Sequence, residues 1–279
     1  VRIPRPIPNP LSLNPFSHAY SISPHSVYNR PNYHTSPSLS HVLTHSLANA
    51  SLSASDIDIY DFYSCFPIVP KLACDHLNLD AFSAGKPITL LGGLTSFGGA
   101  GADYSLHAIA EMVRKLRDAR RNGDGRGRKN GLVLANGGVL SCENAVVLSS
   151  TPAQREDGSI RLPYAEGKDV EIHDLSTSFP GPKFLERAPG TVGSPVEAEV
   201  ETFTVEYNRG NKPVRGHVVL RQGGGERVIA NHGDESTLKE LSGWDGEVVG
   251  RRGWVWCLGD KEQGRNVFSF EKPGVRAKL

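Results

Sequence analysis

Charge of one sign is missing from this chain: Lys and Arg number 31 against 30 Asp and Glu, a formal net charge of +1. A protein whose main task is to hold a polyphosphate backbone carries a basic excess, so nucleic acid is not expected as a partner. Long apolar runs are missing too. None approaches the roughly 20 residues that cross a bilayer, so no membrane span is expected. Cysteine is scarce and unpatterned. The four thiols, Cys65, Cys74, Cys142 and Cys257, contain no CxxC pair. That argues against a zinc ribbon or a disulfide framework and fits a reducing compartment. Methionine occurs once, at Met112, and the chain opens on Val1, which reads as a piece of a longer protein. Apolar residues make up only 38% beside 30 Gly and 19 Pro, so part of the chain is expected in loops or tails. With 279 residues, two domains are the first expectation.

What is present falls into five stretches. Residues 1–35, opening VRIPRPIPNPLSLNPF, are too rich in proline for a helix and read as a disordered tail; a connector that docks when an upstream domain is present is the alternative. Order starts at Ser36-Pro37, a helix-start pair, after which Leu39, Val42, Leu43, Leu47 and Ala50 recur at helical spacing. IDIYDFYS (57–64) reads as a buried strand, VPKLACDHLNL as a helix ending near Leu79, and ITLLGG (88–93) as a strand before a glycine-rich turn. An amphipathic helix is predicted from Asp103 to about Arg121. Leu106, Ile109, Ala110, Val113 and Leu116 are expected on its apolar face, with a Glu111–Lys115 pair opposite. GLVLAN and NAVVLSS then read as strands around Gly137-Gly138. Alternation of this kind makes 36–150 a layered α/β domain.

Residues 151–195 read as a linker. From 196 the apolar period changes to two, with Val196, Ala198 and Val200 on one face but Phe203, Val205 and Tyr207 on the opposite parity. That flip predicts a β-bulge near Glu201-Thr202. VRGHVVLRQ, ERVIAN, EVVG, GWVWCL and NVFSFE read as further strands, with a short helix TLKELSG capped by Asp234 or Ser236. Three strands, a helix and two or three strands is the order of a small OB-like β-barrel, placed at 196–272 ahead of a 273–279 tail.

The loop from Gly92 to Gly101 lies between a strand and a helix, where free amides can hold an anion. It is no Walker loop, because Gly99 stands where lysine is required, and a glycine turn is first of all a packing device. Cys65 sits just past a strand end, a usual place for catalytic groups, though a small buried apolar residue is the plainer reading. His41 and His45 have the i, i+4 spacing of two metal ligands. The sequence offers no third, so they read as a solvated helix face and no metal is expected. His107 reads as structural. Trp254 and Trp256 beside Arg251 and Arg252 have the composition of a stacking surface, but the near-neutral charge favours barrel core plus a solvated turn. The terminal Ala277-Lys278-Leu279 is a variant of a peroxisomal import signal; chance is the alternative.

DFYSCFP, GGLTSFGGAGADYSLHAIAEMVRKLR and GLVLANGG, in that order and spacing, resemble the C-terminal half of thiolases. The nearest branch is the type 1 thiolase-like (acetyl-CoA acetyltransferase-like) group. VETFTVEYNRG and the residues after it resemble the extra C-terminal domain of that group. The resemblance implies a thiolase-like C-terminal half, a layered α/β fold, followed by the β-barrel. It implies an acyltransferase acting on coenzyme A thioesters, with no covalently bound cofactor. The family's nucleophilic cysteine comes from the N-terminal half, so a partner half is implied, in the same protein or another chain. The NEAF or HDCF motif falls on Tyr63-Ser64-Cys65-Phe66, which makes Cys65 the acid/base and puts Tyr63 in place of Asn or His. The GHP motif falls on Gly98-Gly99-Ala100, so Gly99 replaces the oxyanion-binding histidine. The CxG motif falls on Ala135-Asn136-Gly137, without its cysteine; Tyr63 or Asn136 can supply replacement donors. Gly92, Gly93, Gly98 and Gly99 are expected to line the thioester-oxygen site. The expected partners are acyl-CoA and a peroxisomal import receptor, with cytoplasmic residence the alternative location. A non-catalytic acyl-CoA or lipid-binding module of thiolase fold is the alternative function.

Overall fold

The computed structural model describes residues 12–13, 17–20, 27–82, 86–122, 127–152, 172–175, 177–189, 193–243, 246–259 and 264–274. The chain forms two units, Val1–Val27 with His34–Phe179, and Tyr28–Tyr33 with Pro180–Leu279. Among the described residues no helix is long and apolar enough to cross a membrane.

The first unit is built on a six-stranded sheet. Two short strands, β1 (Ser12–Leu13) and β2 (Ser17–Tyr20), lie in the stretch read as a disordered tail. Both pair antiparallel with β5 (Cys142–Ser149), whose edge offers the ladder that a proline-rich segment cannot supply for itself. Helix α1 (Pro37–Asn49) starts as predicted, with the Ser36 hydroxyl accepting from the Leu39 amide at 3.3 Å and Pro37 at the first turn. Strand β3 (Ile59–Phe62) pairs parallel with β4 (Asn130–Gly137), and β4 forms a hairpin with β5 around the Gly138 turn. Helix α2 (Ile68–Leu77) stops where Asn78 turns left-handed (φ 53°) and the Leu79 amide reaches back to the Cys74 carbonyl.

Both faces of this sheet are covered, which is why LVL and AVVL read as continuous apolar runs. Leu132, Leu134, Ala145 and Val147 face α1 and α2. Val133, Val146 and Leu148 face α4 (Asp103–Arg121). The bounds of α4 are those predicted, and of its expected face Leu116 is buried while Ile109 and Val113 pack against the core. Its core side carries Tyr104, Ala108, Met112 and Leu116, all buried, while Leu106 stays 67% exposed. Met112 seats against Gly131, where any Cβ would lie 2.2 Å from its sulfur. Glu111 pairs with Arg114 at 2.5 Å, not with Lys115, and Arg114 also holds Asp118.

ITLLGG is not a strand. One ladder bond forms, from the Phe62 amide to the Ile88 carbonyl, and then the Leu90 and Leu91 amides turn to the Asp61 side chain. The segment runs into the single turn α3 (Gly93–Phe97). The stretch read as a linker contributes two strands, β6 (Ile172–Asp174), parallel to β2, and β7 (Phe184–Leu185).

The second unit holds a closed five-stranded barrel. Its strands are β8 (Val196–Tyr207), β9 (Pro213–Gln222), β10 (Arg227–His232), β11 (Arg252–Leu258) and β12 (Arg265–Ser269), in the ring order β8-β9-β10-β12-β11. Helix α5 (Glu235–Ser242) lies between the third and fourth strands, with Asp234 accepting from the Thr237 amide at 2.7 Å. This is the small barrel the pattern predicts, with the helix in the expected place. EVVG is a turn: Gly250 has φ +85° and bonds to the Val200 carbonyl, which places Val248 in the core without a strand.

The predicted bulge is present, with the β8–β9 register slipping between Val200 and Thr202. It leaves Glu201 as the extra residue and sends its carboxylate to Arg221 and Arg227. Arg227 is fully buried. Its guanidinium also donates to the Tyr28 and Arg30 carbonyls and lies over the Tyr33 ring. Burial opposes the Glu201 charge, but the hydrogen bonds from Arg227 and Arg221 win and hold its pKa below the usual carboxylate value.

Candidate functional site

A buried carboxylate in the middle of an apolar strand is the foundation of the site in the first unit. Asp61, fully buried on β3, accepts from the Leu90 amide (2.7 Å), the Leu91 amide (3.0 Å) and the Thr89 hydroxyl (3.1 Å). Thr89 in turn accepts from the Gly92 amide at 2.9 Å. Burial raises the Asp61 pKa; the Leu91 and Leu90 amides and the Thr89 and Tyr104 hydroxyls reduce that rise without cancelling it. The glycine-rich turn is thereby bound to the strand that ends at the candidate cysteine. Gly93, left-handed at φ +68°, comes so close that a Cβ there would sit 2.2 Å from the Ser64 hydroxyl.

One residue on, Cys65 is half-buried, and the Asn136 amide Nδ2 donates to its sulfur at 3.0 Å. Asn136 stands on β4, in the strand parallel to β3, so two motifs 71 residues apart in sequence meet at one sulfur. The Asn136 Oδ1 is buried and has no hydrogen-bond partner among the described residues. The Tyr63 ring packs at a tilt of 34° against Tyr104, ring centroids 4.7 Å apart. Cys65, Asn136 and Tyr63 line a cavity of about 630 Å3 together with Phe66, Leu106, Ile109, Val133, Ala145 and Val146. Among the described residues its walls carry no Asp, Glu, Lys, Arg or His; the thiol of Cys65, the phenol of Tyr63 and the hydroxyl of Ser105 belong to lining residues.

Of the expected site residues, Cys65, Tyr63 and Asn136 are thus brought together. The four glycines are not cavity-lining; Gly101 and Ala102, at the start of α4, take that place. Gly92 and Gly93 instead pack the turn against Ser96 and Ser64, while Gly98 and Gly99 face open space. Ala277, Lys278 and Leu279 lie outside the described residues. His41 and His45 are half-buried, not solvated, and β6 brings His173 against both. His107 is exposed beside Phe97. Arg251 bonds Glu240 at 2.6 Å and covers the Phe270 ring, and Arg252 lies 3.7 Å from both Glu197 and Glu199, so these guanidinium groups already face carboxylates. Asp61 opens the DFYSCFP stretch, which assigns it no role. A lone carboxylate inside the buried run IYDF is the signal available for it.

Residues 175–260 match the family of the thiolase-like protein type 1 additional C-terminal domain. No curated protein matches the chain. Among solved structures it is similar to a monomeric SCP2-thiolase-like protein type 1 from Mycobacterium smegmatis, with 26% identity and a TM-score of 0.70, over 93% of this chain and 51% of that one. The chain thus spans about half the length of that relative. Weaker likenesses extend to the peroxisomal 3-ketoacyl-CoA thiolase of Saccharomyces cerevisiae (14% identity, TM-score 0.36, 50% of this chain and 34% of that one) and to human mitochondrial 3-ketoacyl-CoA thiolase in complex with CoA (22%, 0.35, 50% and 30%). The layered sheet and the SCP2-thiolase-like neighbour make this a thiolase-superfamily chain. More particularly, residues 175–260, which hold most of the barrel, are similar to the additional C-terminal domain of the type 1 thiolase-like proteins.

Proposed function

We propose that the chain is the C-terminal half of an acyl-CoA acyltransferase, with the Cys65 cavity receiving the acyl thioester and Cys65 acting as acid/base. The observation that carries this reading is the Asn136–Cys65 hydrogen bond at the wall of an apolar cavity. The amide donor fixes the sulfur at the cavity wall, where an acid/base group must stand to meet a thioester bound there. A proton taken from the carbon beside a thioester leaves an enolate, whose oxygen needs donors aimed at it. Asn136, through its Nδ2, and Tyr63 both line the cavity and are the candidate donors. The nucleophile that carries the acyl group comes from an N-terminal thiolase half, and the exposed Phe66 (63%) and Leu106 (67%) are an apolar surface for that half to cover.

Binding without turnover is the second reading. It is favoured by the charge-free cavity wall and by the glycine at position 99, where the family places its oxyanion histidine. The test pairs calorimetric binding of acetyl-CoA and acetoacetyl-CoA with a thiolysis assay of the complete protein carrying the N-terminal half. We expect Cys65→Ala to keep thioester binding within about threefold while abolishing turnover. Binding with no turnover in the parent supports the module instead, and unchanged turnover in Cys65→Ala makes Cys65 a packing residue. Residence in the peroxisome, through a receptor reading Ala277-Lys278-Leu279, is part of this proposal. A fluorescent fusion that loses peroxisomal import on deletion of Leu279 supports it, and import unaffected by that deletion refutes it.

A further inference from the structure

Outside the lining of the Cys65 cavity, three histidines meet. His41 and His45, one turn apart on α1, stack with ring centroids 3.9 Å apart. The third comes from β6. The parallel β2–β6 ladder sets His173 opposite Ala19, and its neighbours Ile172 and Asp174 are exposed while His173 is half-buried. Strand alternation therefore turns His173 alone toward α1. Its ring lies 4.4 Å from that of His41 and 4.8 Å from that of His45. One nitrogen from each ring can be chosen so that all three lie within 4.8 Å of one another.

We propose that His41, His45 and His173 form a binding site for a borderline divalent transition ion of the zinc class. Imidazole nitrogens suit zinc, copper, nickel and iron, whereas Mg2+ and Ca2+ require oxygen ligands. A tetrahedral zinc ion holds its nitrogens at about 2.0–2.1 Å, which sets them roughly 3.3–3.4 Å from one another. The present separations, within 4.8 Å, must shorten toward that value as the ion draws the rings together. Histidines at i and i+4 point from one helix face, the arrangement that chelates a metal from a helix. Three protein ligands leave a fourth position for water or an exchangeable group. The ion fastens β6 to α1, so it anchors the strand by which the chain leaves the sheet. None of the three histidines lines the Cys65 cavity, so this site stands apart from it and from the acyltransferase reading.

The test uses the chelator-treated full chain, titrated with Co2+ in the visible range and with Zn2+ against a chromogenic chelator. We expect one equivalent bound at micromolar or tighter Kd, with the intense visible bands of a four-coordinate cobalt ion. His45→Ala and His173→Ala should each weaken binding at least about tenfold, while His107→Ala, on the exposed face of α4, leaves it unchanged. His173→Gln preserves side-chain bulk, and far-UV circular dichroism establishes that each variant is folded. No stoichiometric binding by the parent at about 100 μM ion overturns the proposal. So does binding that survives in folded His45→Ala or His173→Gln, because the ion then sits elsewhere.

Discussion

Replacing Asp61 separates the consequences of its charge from those of its acceptor oxygen. Asp61→Ala leaves two backbone amides and the Thr89 hydroxyl without their acceptor. A donor left unsatisfied inside a protein costs about 1–3 kcal/mol. Residues 89–91 are only half-buried, so water reclaims part of this, and we expect a loss of about 2–4 kcal/mol. Asp61→Asn keeps an acceptor oxygen and removes the charge; its cost at pH 7 should stay below about 1 kcal/mol. The two variants differ in pH dependence as well. Burial raises the folded-state pKa of Asp61 above its unfolded value of about 3.9. The folded parent therefore holds this proton more tightly, and its contribution is most favourable below the unfolded value. Stability is lost as pH rises through the folded value, and Asp61→Asn lacks that slope. All three tryptophans, at positions 244, 254 and 256, fall in the second unit, so fluorescence cannot follow the sheet unit. Urea unfolding monitored by hydrogen exchange at the amides of β3 and β4 can. A loss below about 0.5 kcal/mol in Asp61→Ala, or equal losses in both variants, refutes the reasoning.

In the barrel, Arg227→Ala leaves Glu201 to Arg221 and takes the donor from the Tyr28 and Arg30 carbonyls, and should cost about 2–4 kcal/mol in tryptophan-detected urea unfolding. Glu201 gives the opposite pH sign to Asp61. Its folded pKa is lowered, so its contribution is present above the unfolded value of about 4.3 and disappears as pH falls through the folded one; Glu201→Gln should flatten the acid limb of the barrel's melting curve. Gly93→Ala combines a left-handed backbone with a Cβ 2.2 Å from Ser64, and should lower the melting temperature of the sheet unit and loosen thioester binding. Gly99→Ala meets nothing within 4 Å and should change stability by less than about 0.5 kcal/mol.

Where local pattern and tertiary packing ask for the same thing, the structure is legible in the sequence. Ser36-Pro37 starts α1, Asp103–Arg121 is a helix, and the parity flip marks the bulge at Glu201. The departures have distinct physical causes. Ile88–Leu91 has a strand's composition, but Asp61 captures two of its amides. The apolar face expected of α4 includes Leu106 and Ile109, which line the cavity, because Tyr104, Ala108 and Met112 look less apolar than Leu106, Ile109 and Val113. A flat list of hydrophobic residues does not distinguish a core from a surface awaiting a ligand or a partner. Residues 12–13 and 17–20 become strands because β5 presents an edge, which no local propensity records. At the candidate site, family motifs mark Cys65, Tyr63 and Asn136, and their meeting rests on the parallel β3–β4 pairing. The glycines are absent from the cavity wall: Gly93 lets the turn approach Ser64, Gly92 packs on Ser96, and Gly98 and Gly99 face open space. His173 is invisible beside His41 and His45, since it lies in a short strand whose pairing is wholly long-range.

The second unit is discontinuous along the chain. Arg227 holds the carbonyls of residues 199 and 197 positions earlier, and everything from His34 to Phe179 is a loop inserted between the two parts. A ribosome releases Tyr28–Tyr33 long before the strands that will clasp it, so the sheet unit can fold first while this peptide waits. The barrel's last closure is then its longest-range one and the slowest to find. A barrel expressed from Pro180 onward lacks the segment that accepts from Arg227. Supplied in trans, a synthetic peptide spanning 28–33 is expected to restore the missing stability, as the two halves of a divided protein complement each other.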